Sequence, residues 1–398
     1  MAAVAAAAPQ PPRQYKLAPQ SELRVEVLPD TPLRVRLVTG TAEIFGTELP
    51  PEGWVPIPPR SKISIFTWHG ATVELEGVSE SEYTSDETPM VIYVNTHAIL
   101  DARRARARAA AVQGGDPEAS QGPRVIVVGP TDSGKSTLCK MLLSWAAKLG
   151  WKPTYVDLDI GQGSITIPGC ISATPIEKPI DIVDGIPLEM PLVYFYGHPN
   201  PSINPDVYKV LMKELAKTLE KQFSGNAESR AAGMVINTMG WVEGLGYELL
   251  LNAIETFKAN VVLEKLWKML KDAVQSKPNI DVVKLHKSEG VEYFYGIAND
   301  LAPHSNTVNF SDVSVYRIGG GHQAPRSALP IGAEPVADPT RLVAVNISTD
   351  MVHTVLAVSY AKEPDEIISR KKLTYIAPCP GDLPSRLLIA SSLTWYEA

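Results

Sequence analysis

From Tyr15 to about Tyr93, apolar and polar side chains alternate in short runs. Leu23-Arg24-Val25-Glu26-Val27 and Leu33-Arg34-Val35-Arg36-Leu37 each turn one face to a core and one to water, the period of two of a half-buried strand. Ile63 to Trp68 and Thr72 to Leu75 are further runs, and Gly40, Gly46, Gly53, Gly70 and Gly77 punctuate them. Short strands with frequent turns predict an N-terminal β-sandwich over residues 15–95. The Ala- and Arg-rich stretch Thr96 to Val112 predicts a helix, and Gly114, Gly115, Pro117 and Gly122 mark a linker, so that 96–123 separates two domains.

The pattern then changes. Val125-Ile126-Val127-Val128 is apolar throughout, as expected of a parallel strand buried on both faces. Thr154 to Leu158, Leu192 to Tyr196, Gly233 to Ile236 and Val261 to Leu263 are later strand candidates, with helical stretches between them, notably Pro205 to Phe223 and Gly246 to Phe257. Strand alternating with helix predicts an α/β fold, a doubly wound parallel sheet over residues 124–292. After Phe294, Val313 to Tyr316, Leu342 to Val345 and Val355 to Val358 predict a small C-terminal β-rich domain, 293–398. Residues 1–14, rich in Ala and Pro, read as a disordered tail without the basic-then-apolar layout of a signal peptide.

At 398 residues the chain suits two or three domains. Its net charge of −7 does not fit a protein that coats nucleic acid, so any RNA contact belongs to a local groove. Cys139, Cys170 and Cys379 lack metal or disulfide spacing, which points to a reducing compartment. No apolar stretch reaches membrane-spanning length. The run Arg103, Arg104, Arg106 and Arg108 reads as a solvated helix face or linker in preference to an RNA contact.

The chemistry concentrates after the first buried strand. Gly129-Pro130-Thr131-Asp132-Ser133-Gly134-Lys135-Ser136-Thr137 matches G-x-x-x-x-G-K-[ST] between a strand and a helix, the context of a phosphate loop. The glycines let backbone N–H groups turn inward, and the helix N-terminus adds its positive end. Lys135 is expected on the β- and γ-phosphates of ATP, Ser136 on Mg²⁺ and Thr137 on the α-phosphate. Asp157 and Asp159 close the next strand, where the ligands of such sheets lie. Asp159 is the better placed to hold the metal's water or take a proton from a hydroxyl; the alternative is a pair of helix-capping carboxylates. No Asn-Lys-x-Asp guanine reader follows Met234-Val235-Ile236, which disfavours GTP. Trp241 in the Gly-rich turn that follows is either a stacking platform for a base or a core tryptophan.

Gly129 to Thr137, Asp157 to Gly163 and Asn237 to Gly246 combine with Ala42-Glu43-Ile44-Phe45-Gly46-Thr47-Glu48-Leu49 and Phe66-Thr67-Trp68-His69-Gly70. Together they closely resemble the eukaryotic polyribonucleotide 5′-hydroxyl-kinase family, in particular its branch that serves as the ATP-binding subunit of the pre-mRNA cleavage and polyadenylation machinery. The resemblance implies the three domains named above and ATP·Mg²⁺ held between the first two. It implies that Glu22 reaches the base, that Lys62 contacts the nucleotide, and that Asp132, Ser133, Gly134, Lys135, Ser136 and Thr137 bind phosphate. It further implies Asp159 as metal and general-base carboxylate, Pro201 to Asn204 as a clasp over the γ-phosphate and Trp241 as an RNA clamp. The implied partners are RNA and other subunits of the cleavage machinery, in the nucleus. The chain departs from the family pattern where Leu263 meets Glu264-Lys265 at once, and where Lys287 to Val291 runs straight into Glu292-Tyr293-Phe294-Tyr295-Gly296, with no arginine-bearing lid helix between. A third shortening is expected near Ser369-Arg370. Two functions follow: a nucleotide-binding subunit of the cleavage complex, or an active RNA 5′-hydroxyl kinase. A generic small-molecule kinase fits less well beside the N-terminal β domain and Trp241.

Overall fold

The computed structural model describes residues 11–31, 33–114, 116–186, 191–265, 280–285, 312–319, 340–348, 351, 354–359, 361, 363–364 and 387–394. The N-terminal alternation folds as two packed sheets. One has the strand order Arg13–Leu17, Ala71–Glu76, Leu33–Gly40, Trp54–Ile57, and the other Thr47–Glu48, Glu43–Ile44, Lys62–Thr67, Ser21–Val27, Ser79–Ser85. The inward positions Leu23, Val25, Val35, Leu37, Ile63, Ile65, Val73 and Leu75 form the sandwich core. Outward positions pair across strands, as Arg34 does with Glu76 and Arg36 with Glu74, each directly opposite in register.

The connecting helix begins at Met90 and ends at Val112, six residues earlier than the sequence suggested. The β-branched run Val91-Ile92-Tyr93-Val94 resembles a strand locally. However, Met90, Tyr93, His97, Leu100, Arg104 and Ala107 are buried at intervals of three and four, so tertiary packing decides for helix. The arginine run is a solvated face only in part: Arg106 and Arg108 are exposed, but Arg104 is not. Arg104 is wholly buried and donates from Nε to the Ala232 carbonyl at 2.9 Å. Arg103 pairs with Asp281, Arg108 lies 4.2 Å from the ring centre of Trp151, and Arg106 is exposed. The run ties the helix to the central domain.

The central sheet has the order Leu192–Phe195, Cys170–Pro175, Thr154–Asp157, Met234–Asn237, Arg124–Val128, Val261–Lys265, Asp281–Leu285. The last five strands run parallel, and the first two are antiparallel at one edge. Cys170–Pro175 and Asp281–Leu285 are strands that the apolar runs did not announce. Val125 and Val127 share a core with Leu138 and Leu142 of helix Lys135–Lys148 and with the connecting helix. Ile126 and Val128 face helices Pro205–Gly225 and Leu245–Thr256 on the other side. Both faces are therefore covered, as a fully apolar strand requires. The C-terminal sheet, Leu342–Val345, Ser314–Ile318, Leu387–Thr394, Thr354–Val358, adds Ile318, Ala357, Leu387 and Ile389 to that second core.

The sandwich grips the helix Lys135–Lys148 directly. Gly46, at φ +87°, would bring a Cβ to 3.0 Å from the Met141 Cα, so any side chain here is strained and crowds that helix. Thr47 Oγ1 donates to the Ile180 carbonyl at 2.7 Å, Glu48 pairs with Lys148, and Trp145 Nε1 donates to Glu43 Oε2 at 3.2 Å. Glu43 is 6% exposed, and burial pushes its carboxyl up to about 7, against the pull of the Trp145 hydrogen bond and Lys148. The folded state thus holds a proton on Glu43 that the unfolded state has lost, and stability falls as pH rises from about 4.5 to about 7. Glu43→Gln, which cannot ionise, should match the parent near pH 4 and exceed it at pH 8. The excess should be at most about 3 kcal/mol at 1.36 kcal/mol per unit. Denaturant melts at the two pH values test this, and equal differences at both would refute it.

Candidate nucleotide site

The parallel strand Arg124–Val128 delivers the chain to Gly129 at φ +158°. Asp132 and Gly134 then take left-handed conformations, at +60° and +75°, and Gly134 caps the helix Lys135–Lys148. The loop closes back on itself. Lys135 is buried, and its Nζ donates to the Pro130 carbonyl at 2.9 Å. Burial holds its ammonium below the usual range, while the charges of Asp159, Cys139 and Asp132 pull it back. Ser133 is 1% exposed, yet its Oγ meets no partner among the described residues. A hydroxyl without a partner and a buried ammonium bonded to one backbone carbonyl among the described residues, around a helix N-terminus, fit a phosphate group.

The adjacent strand stops at Asp157, so of the two carboxylates expected to close it only Asp157 belongs to the strand. Asp157 is a buried support. It accepts from Ser164 N at 2.7 Å, Ser164 Oγ at 2.8 Å, Asn237 Nδ2 at 3.1 Å and Asp159 N at 3.1 Å. Asp159 lies in the following turn. Its Oδ1 accepts from Gly161 N and Gln162 N at 3.1 and 3.0 Å, and no hydrogen bond to Oδ2 occurs among the described residues. Burial and the neighbouring Asp157 push Asp159 up to about 6, with Gln162, Lys135 and Gly161 opposing. A carboxylate poised this near neutrality suits a proton acceptor. Among the described residues no three His, Cys, Asp or Glu side chains converge on one point. Mg²⁺ in such sites takes one or two protein ligands beside waters and phosphates, so Ser136 and Asp159 still fit it.

A third wall comes from the turn after Met234–Asn237. Thr238 Oγ1 donates to the Val127 carbonyl at 2.7 Å. Gly240 backs directly on the phosphate loop: a Cβ there would stand 2.5 Å from Thr131 N. Trp241 is half-buried against the central core, and Gly246 lies beneath its ring, 2.5 Å from Cγ to the position of a Cβ. Trp241 thus packs part of its ring against the core and leaves part of it exposed. The segment Pro201–Ile203 is a short 3₁₀ turn fixed by Tyr196, whose hydroxyl accepts from Asn204 N at 2.9 Å and donates to the Pro201 carbonyl at 3.1 Å.

The two sandwich residues are held within their own domain. Glu22 bonds Arg24 at 2.6 Å and Thr88 Oγ1 at 3.1 Å, and Lys62 pairs with Glu26 at 2.6 Å. Phe66, directly opposite Glu22 on the neighbouring strand, packs into the core behind the phosphate loop, so this end of the sandwich abuts the central domain. Val261–Lys265 continues as strand through Glu264, opposite Val128, at the point where the chain departs from the family pattern. The missing lid helix and the Ser369-Arg370 shortening lie outside the described residues. A cavity of about 480 Å³ lies at the opposite ends of the strands, lined by Lys152, Thr154, Thr174 and Gln222, away from this chemistry.

Three family models match in series: the N-terminal β-sandwich domain of polyadenylation factor over residues 16–107, the P-loop of mRNA cleavage and polyadenylation factor CLP1 over 129–300, and pre-mRNA cleavage complex II protein Clp1 over 301–370. The chain is similar to the protein CLP1 homolog of Arabidopsis thaliana, at 61% identity over 97% of this chain and 95% of the relative. It is also similar to the polyribonucleotide 5′-hydroxyl-kinase Clp1 of Homo sapiens, at 37% identity over 98% and 97%. A solved complex of wild-type Clp1p with a Pcf11p segment shares its fold at a TM-score of 0.77 and 21% identity, covering 98% of this chain and 99% of that one. A second such complex, described as showing how a point mutant loses ATP, matches at a TM-score of 0.78 over 97% and 99%. On full-length likeness to its plant relative and three consecutive family matches, the chain belongs to the Clp1 family of mRNA cleavage and polyadenylation factors.

Proposed function

We propose that this protein is the ATP-binding subunit of a nuclear pre-mRNA 3′-end cleavage complex, with the nucleotide held as a structural element between sandwich and central domain. The observation that carries the reading is the phosphate loop itself, with Ser133 Oγ unpaired and Lys135 resting on Pro130. Lys135 would bind the β- and γ-phosphates, Asp132 through Thr137 would supply the remaining phosphate contacts, and Ser136 with Asp159 would hold Mg²⁺. That ion supplies charge neutralisation at the phosphates when bound. Glu22 and Lys62 reach the nucleotide from the sandwich in this reading. The family relatives, and the Clp1p–Pcf11p assembly of the structural neighbours, support a subunit role with a Pcf11-like partner. In this reading RNA lies in a local groove at Trp241.

The full chain, purified and denatured, should release ATP in near-equal amount to protein. Empty protein, or released guanine nucleotide, would remove the reading. The second reading is an RNA 5′-hydroxyl kinase. It is favoured by Asp159, whose raised proton affinity and open Oδ2 suit the role of accepting a hydroxyl proton.

A further inference from the structure

Asn237 stands where the walls of the site meet. It ends the strand Met234–Asn237, opposite Asp157 on one side and Val127 on the other, and it is wholly buried. Its backbone carbonyl accepts from Leu158 N at 3.1 Å, and its Nδ2 donates to Asp157 Oδ1, also at 3.1 Å. Only this orientation of the amide works, because the reverse would set two acceptor oxygens against each other. The same Asp157 Oδ1 accepts from Asp159 N at 3.1 Å. One oxygen atom therefore joins the Asn237 amide to the backbone that carries Asp159. The other Asp157 oxygen takes Ser164 N at 2.7 Å and Ser164 Oγ at 2.8 Å, which closes the far end of the turn. Tyr208, from the helix Pro205–Gly225, holds the residue between the two carboxylates by donating to the Leu158 carbonyl at 2.7 Å.

The Asp159 side chain takes its direction from the same turn, its Oδ1 accepting from Gly161 N and Gln162 N at 3.1 and 3.0 Å. Whatever fixes the turn therefore aims the carboxylate. We propose that Asn237 is a positioning residue for the metal: it touches neither phosphate nor ion, and it sets the direction of Asp159 through Asp157. Partners one bond removed from a metal ligand govern metal affinity in this way. Asn237 also opens the turn whose Gly240 lies against the phosphate loop, where a Cβ would stand 2.5 Å from Thr131 N. One buried side chain thus keeps Asp159 in register with the loop that holds Ser136. This rests on the reading that Asp159 holds Mg²⁺.

The test is calorimetric titration of the nucleotide-free full chain with ATP, once with Mg²⁺ and once with EDTA. The ratio of the two affinities reports the ion. Asn237→Leu removes the donor at nearly constant volume. It should lower that ratio about tenfold, the scale of a lost support of a metal ligand, and leave the affinity in EDTA within about twofold. Ser164→Ala, at a half-buried position, removes a donor from the other Asp157 oxygen and should lower the ratio by a smaller factor. In an Asp159→Asn background Asn237→Leu should change the ratio no further, because its path to the ion runs through Asp159. An unchanged ratio for Asn237→Leu overturns the proposal. Equal loss with and without Mg²⁺, alongside a lower melting temperature, marks a structural role and overturns it as well, as does full additivity with Asp159→Asn. Should Asn237→Leu fail to fold, the ratio for Ser164→Ala decides alone. A parent whose ATP affinity ignores Mg²⁺ removes the metal reading itself, and the proposal falls with it.

Discussion

Lys135→Ala should cost the protein most of its ATP. The side chain is the one mobile cation of the phosphate loop, and it is held ready: buried, turned onto the Pro130 carbonyl at 2.9 Å and facing Asp159. A charged hydrogen bond of this kind contributes about 1.5–3 kcal/mol. At 1.36 kcal/mol per decade, that is a loss of affinity of roughly ten- to more than a hundredfold. The alanine also leaves Asp159 beside the phosphates without its nearest cation, which adds repulsion. Calorimetry of the nucleotide-free variant and parent checks this, together with the ATP retained through purification. Equal affinity would remove Lys135 from the phosphates. A variant that melts lower even without nucleotide would show the loss to be structural, so melting curves belong beside the titrations.

Why the loop was legible from sequence and its surroundings were not is a matter of range. The phosphate loop is a local device: Gly129, Gly134 and Lys135 do their work within a few residues, so spacing alone announces them. The sandwich strands were legible because each is half-buried and alternates. The strand Cys170–Pro175 sits between Gly169 and the Pro175 turn at an antiparallel edge, and Leu387–Thr394 mixes Ser and Thr with Leu, so neither carries a clean period. Arg104 looked like a surface charge because its partner is the carbonyl of Ala232, on a different helix far along the chain. Gly240 looked like ordinary turn glycine, and only the fold shows that Thr131 leaves no room for a side chain. The role of Asp157 was missed for a related reason. Its five donors come from Tyr155, Asp159, Ser164 and Asn237, and counting along the strand cannot see them converge.

Turnover is where the largest deficit is expected: the chain should bind ATP yet transfer its γ-phosphate to RNA at well under about 1 s⁻¹, the low end for kinases. Binding and transfer make different demands. The phosphate loop acts on ground-state ATP, and its geometry is complete. Transfer also needs cations placed over the moving phosphoryl group, and such arginines are worth 10³–10⁵ in rate. Between Val261 and Gly296 the chain has no arginine. Lys284 cannot replace one: it lacks the planar fork that spans two phosphate oxygens, and its charge already acts on the buried Glu264. The strand Val261–Lys265 runs on at the point where the chain departs from the family pattern, so the wall beneath such a lid differs too. Single-turnover transfer from γ-labelled ATP to a 5′-hydroxyl oligoribonucleotide decides the matter. A rate above about 1 s⁻¹ would show that other groups carry the charge, and the kinase reading would replace the structural one. A low rate that rises by orders of magnitude when an arginine-bearing helix is inserted before Glu292 would locate the deficit in the missing arginines, because Asp159 and Lys135 are unchanged by the insertion.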